Sequence, residues 1–86
     1  MIERPKLLNG QYAVLAADGA TGHVLTTEGE LDIGDGKAIF LFFMELNSAK
    51  EHIAKNQLDN PTREFVIYDS NYETVEFYKA PEWNQD

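Results

Sequence analysis

The chain has 86 residues, 43% hydrophobic and 12% aromatic, with 15 acidic residues against 7 Lys and Arg and a formal charge of −8. A chain of this length has room for one hydrophobic core and buries only about 60 to 65% of the surface its unfolded form exposes, yet its aromatic and branched apolar content is too high for intrinsic disorder. The lack of cysteine excludes disulfides and thiolate metal sites and gives secretion no support, while the acidic balance repels phosphate backbones and anionic lipid and so argues against direct nucleic-acid or membrane binding.

Residues 1–10 are expected to be an N-terminal extension, and they lack the long apolar stretch of a signal peptide. The longest apolar run, residues 38–44, falls far short of the about 20 residues that span a bilayer, so a cytoplasmic protein is expected. Residues 11–17 predict a first strand between the turn dipeptides Asn9-Gly10 and Asp18-Gly19, and residues 23–27 a second, joined by a glycine-bearing hairpin loop. From Glu28 to Ile33 acids alternate with Gly29, Leu31 and Ile33, the period of a half-buried strand. Gly34-Asp35-Gly36 then turns the chain into residues 37–44, with Ile39, Leu41 and Phe43 on one face and Phe40, Phe42 and Met44 on the other. Both faces of that segment are apolar, which marks it as the centre of the fold.

Ser48-Ala49-Lys50-Glu51 has the form of a capping box and predicts a helix over residues 48–58, with Ala49, Ile53, Ala54 and Leu58 as its apolar stripe and Asn60-Pro61 as its stop. Residues 63–69 and 73–79 predict a hairpin. Parity there pairs Ile67 with Val75 and Phe65 with Phe77, leaving Ser70-Asn71-Tyr72 as a three-residue loop whose last position favours a left-handed backbone, for which Tyr72 is poorly suited. Residues 80–86 form a C-terminal tail, with Trp83 expected to fold back on the body. The expected architecture is a single α+β domain over residues 1–86, a small antiparallel sheet of four to five strands with one helix on one face, in the order β-β-(β)-α-β-β.

No spacing names a chemistry. Read as a calcium loop, the acidic run puts Ile33 where glycine is needed and Ile39 where the bidentate glutamate belongs. His23 and His52 lack sequence-near partners, Ser48 and Ser70 are explained as cap and turn residues, and Gly19-Ala20-Thr21-Gly22 does not open a helix. No catalytic, cofactor-binding or metal residue is therefore assigned, and no enzyme activity or cofactor is expected. The expected role is a non-catalytic, acidic protein-binding module, an inhibitor or immunity-type protein occupying a basic site on a partner protein. Its contact residues would be Glu28, Glu30 and Asp32 together with Glu64, Tyr68, Glu76 and Tyr78, the last four sharing one hairpin face.

Because one helix covers one face of a sheet, Phe40, Phe42 and Met44 require a second cover, from residues 5–8, from the Trp83 tail, from curvature, or from another copy in a homodimer. Two alternatives stand beside this reading. One is a dimeric ligand-binding or enzymatic domain with a pocket between subunits near His23 or His52; the other is a structural subunit of a larger complex.

Overall fold

The computed structural model describes residues 6–34 and 37–81. It is an α+β fold in which one helix packs on an antiparallel five-stranded sheet. The elements are β1 (Tyr12–Asp18), β2 (Val24–Leu25), β3 (Phe40–Phe43), α1 (Leu46–Asp59), β4 (Arg63–Tyr68) and β5 (Thr74–Tyr78).

The centre of the sheet is β1 and not residues 38–44. On one side β1 pairs with β4 from Ala13 to Asp18; on the other, Ala16 and Ala17 pair with β2 while Tyr12 to Leu15 pair with β3. Strands β2 and β3 therefore lie end to end in one edge row, and the chain leaves that row after Leu25 and rejoins it at Phe40. Four rows result, β2/β3, β1, β4 and β5, with α1 crossing over β1 to join the parallel strands β3 and β4. The alanines of β1 suit this central place: Ala13 is fully buried, and its small side chain leaves room for the aromatic rings of the neighbouring rows.

The helix-side core consists of Val14, Ala49, Ile53, Phe65 and Ile67, with Tyr12, Leu41, Phe43 and Leu46 packed around it. The helix begins two residues before the expected cap. Glu45 is its N-cap, without a side-chain cap bond, and Ser48 lies inside the first turn. The extra residues bring Leu46 onto the core, a gain in burial that a start at Ser48 would forgo. The expected stripe is also narrower: Ala49 and Ile53 are buried, but Ala54 is exposed and Leu58 is 83% exposed. Its place is taken by Gln57, whose Nε2 donates to the carbonyls of Arg63 and Lys79, 3.0 Å each, and ties the helix to the two last strands. Asn60 closes the helix as expected.

The final hairpin has the expected three-residue loop, with Tyr72 at φ 61° and Tyr68 opposite Thr74. One residue later a bulge inserts Val75, so Ile67 faces Glu76 and Phe65 faces Tyr78. The pairs Ile67 with Val75 and Phe65 with Phe77 are thereby overturned. Tyr78 joins the helix-side core and Glu76 meets Lys50 of the helix at 3.6 Å, while Phe77 lies across from Val66 on the opposite face, 50% exposed.

On the face away from the helix, Leu7 of the N-terminal segment packs against Ala13 and Phe40, joined by Tyr68 and Tyr72. Of the covers considered for that face, the N-terminal segment supplies one. The expected fold-back of Trp83 and the turn at Asp35-Gly36 lie outside the described residues. No helix among the described residues is long and apolar enough to cross a membrane.

Candidate functional site

The described residues between β2 and β3, 26–34 and 37–39, depart from an otherwise collinear edge row. They are not the half-buried strand the alternation predicts. Thr26 starts a tight turn in which Gly29 N–H donates to the Thr26 carbonyl at 2.9 Å and Thr26 N–H donates to the Glu30 carbonyl at 2.6 Å. The buried Thr26 hydroxyl accepts the amides of Glu28 and Glu30 at 3.3 and 3.2 Å, and Gly29 takes φ 87°, a left-handed value natural to glycine. The chain then returns antiparallel, with a single bridge between Leu25 and Leu31, and Thr27 N–H donates to the Ala38 carbonyl at 2.9 Å to close the base. Alternation misleads here because the turn falls inside the pattern. Leu31 is 53% and Ile33 78% exposed.

Glu28, Glu30 and Asp32 all belong to this excursion. Glu30 pairs with Lys37 at 2.9 Å, and Asp32 Oδ1 accepts the Gly34 amide at 3.1 Å. The second expected set is divided by the β5 bulge. Glu64 and Tyr68 lie on the face away from the helix, and Glu76 and Tyr78 lie on the helix side. Burial, the Glu76 carboxylate and a hydrogen bond to it push the Tyr78 phenol above its ordinary value. Of the expected dimer face, Phe40 is buried against Leu7, Tyr68 and Tyr72, while Phe42 is 43% exposed and Met44 is exposed at the end of the row.

Between the excursion and the helix lies a depression that sequence reasoning missed. Thr26, Thr27 and Gly29 form one wall, His52 and Asn56 the other, and Arg63 closes the end. Its floor is apolar, made by Val14, Leu41 and Phe65 among others. The His52 ring packs 5.4 Å from Phe43 and 6.4 Å from Phe65, and its partial burial holds its pKa below the ordinary value. Arg63 Nη1 donates to Asn56 Oδ1 at 3.1 Å, and Asn60 Nδ2 donates to the same oxygen at 3.3 Å. A pocket was expected between subunits near His23 or His52; this one lies within a single chain at His52, and His23 is exposed in the loop before β2. Arg63 and Asn56 carried no sequence signal beyond an ordinary strand start and an ordinary helix position, because they meet only where the turn after the helix folds β4 back beside it. No group of three or more metal-ligating side chains occurs among the described residues.

Comparison with known protein families, with curated proteins and with solved structures gives no match to this chain.

Proposed function

We propose that this protein is a non-catalytic protein-binding module that presents the excursion at residues 26–39 to a basic site on a partner protein, in the manner of a small inhibitor or immunity-type protein. The observation that carries the reading is the excursion itself. Strands β2 and β3 would make one uninterrupted edge strand without it, and loops that the scaffold does not need are where recognition is placed. It combines Glu28, Glu30 and Asp32 with the exposed Leu31 and Ile33. The acids would steer a basic partner into contact, and the two apolar residues would supply the desolvated centre of the interface.

The experiment is affinity capture from the host lysate with the wild-type protein, Glu28→Lys and the double variant Leu31→Ser/Ile33→Ser in parallel. A basic protein retained by the wild type and lost from both variants is the expected outcome. Equal retention by all three, or retention of acidic proteins alone, rejects the reading.

The exposed Phe42 and Phe77 on the face away from the helix support a second reading, a homodimer through that face. Recovery of the chain alone, with light scattering at twice the monomer mass that Phe77→Glu abolishes, would put it first.

A further inference from the structure

Arg63 is a half-buried cation in a strongly acidic protein, yet among the described residues no carboxylate lies within ion-pair distance of it. The nearest candidate by register is Asp18, directly opposite on β1. Its carboxylate is turned into its own loop, where it accepts the Ala20 amide at 3.2 Å and the Thr21 hydroxyl at 3.0 Å. Arg63 is nevertheless held in place. Asn56 Oδ1 fixes Nη1, and Gly29 is packed so close that a Cβ there would stand 2.7 Å from Nη2. Among the described residues that bond to Asn56 is the one its guanidinium makes, and the donors left over are open to solvent, none of them being sealed in without a partner. A guanidinium fixed in one place with donors still open to solvent is pre-organised for an anion that can displace that water.

We propose that the depression between the excursion and the helix binds a small monocarboxylate, its oxygens taken by the Arg63 guanidinium and its hydrocarbon part resting on Leu41 and Phe65. A planar guanidinium grips a carboxylate through two parallel hydrogen bonds, which Lys cannot reproduce. The apolar floor matches an alkyl substituent. A single cation in a field of −8 suits one negative charge and disfavours a phosphate dianion. The site shares Thr26, Thr27 and Gly29 with the excursion but uses none of the side chains of Glu28, Glu30, Leu31, Asp32 and Ile33 on which the protein-binding reading rests, so either can fail without the other.

The test is an NMR titration of the whole chain with sodium propionate against sodium chloride at equal ionic strength, following the Arg63 Nε–H and the amides of Thr27 and Gly29. Saturable shifts are expected with a Kd on the order of 1 to 10 mM, the range open to so small a ligand. Arg63→Gln should abolish them. Arg63→Lys, which keeps the charge and guards against a folding defect in the first variant, should weaken binding about tenfold. An N-acetylated dipeptide with a free C-terminus, compared with its amide, distinguishes the source. Tighter binding of the free peptide acid than of propionate assigns a peptide terminus, and weaker or equal binding assigns a free small acid. Non-saturable shifts, the same shifts in chloride, shifts unaffected by Arg63→Gln, or tighter binding of inorganic phosphate than of propionate would overturn the proposal.

Discussion

The turns at residues 26–30 and 69–73 follow one backbone path. In each, the first residue's carbonyl accepts the amide three residues on, at 2.9 Å, its own amide donates to the carbonyl four residues on, and its side-chain oxygen accepts the amides two and four residues on. Thr26 supplies that oxygen in the first turn and Asp69 in the second. The fourth position is left-handed in both, at φ 87° and 61°, but Gly29 occupies it in one and Tyr72 in the other. The difference lies in what stands beside the turn. At Gly29 the Arg63 guanidinium fills the space a Cβ would need. At Tyr72 the ring reaches Phe40 at 5.7 Å and Tyr68 at 5.9 Å, and these contacts offset an unfavourable backbone. One turn is shaped around a charged side chain, the other around an aromatic cluster.

Gly29→Ala should break the first turn most severely. A left-handed alanine costs about 1 to 2 kcal/mol, and the displacement of Arg63 adds to it. A denaturant melt should show a loss of about 2 kcal/mol or more, and a loss under about 0.5 kcal/mol would mean that Arg63 moves aside freely.

Tyr72→Gly tests the second turn in the opposite direction. Glycine removes the left-handed cost but also the two ring contacts, worth about 0.5 to 1.5 kcal/mol each, and it loosens the unfolded chain. A net loss near 1 kcal/mol is expected. A gain in melting temperature would show that the rings do not offset the backbone.

The smallest effect concerns His52, beside the first turn and without a counterpart at the second. Its folded pKa lies below the unfolded value of about 6.5, so the unfolded chain takes up the proton first. Its contribution is whole above pH about 6.5 and falls away as the pH drops through that value toward the folded pKa. His52→Gln should flatten the fall in stability between about pH 7 and 5.5, and an unchanged slope would place the titration elsewhere.

Much of the architecture could be read directly. Turn dipeptides bounded β1, Asn60-Pro61 stopped the helix, and the loop of the last hairpin followed from its spacing. These are local events, set by backbone preferences within a few residues. The candidate site was only half visible. Glu28, Glu30 and Asp32 stood out by charge, but their alternation suggested a strand because a three-residue turn centred on Glu28 also spaces polar residues by two.

By itself, then, the sequence determined an acidic α+β domain without cysteine, its turns, its helix stop and its apolar segments, since each depends on neighbours along the chain. Tertiary structure alone decided that β1 is the central strand, that Val75 bulges, that Leu46 rather than Ser48 opens the first turn of the helix, and that Arg63, Asn56 and Gly29 meet. Apart from the Arg63–Asn56 contact across the turn after the helix, those outcomes depend on packing between residues distant in the chain. A one-residue register shift that turns Phe77 outward costs little locally and is selected by what the helix covers on the other side.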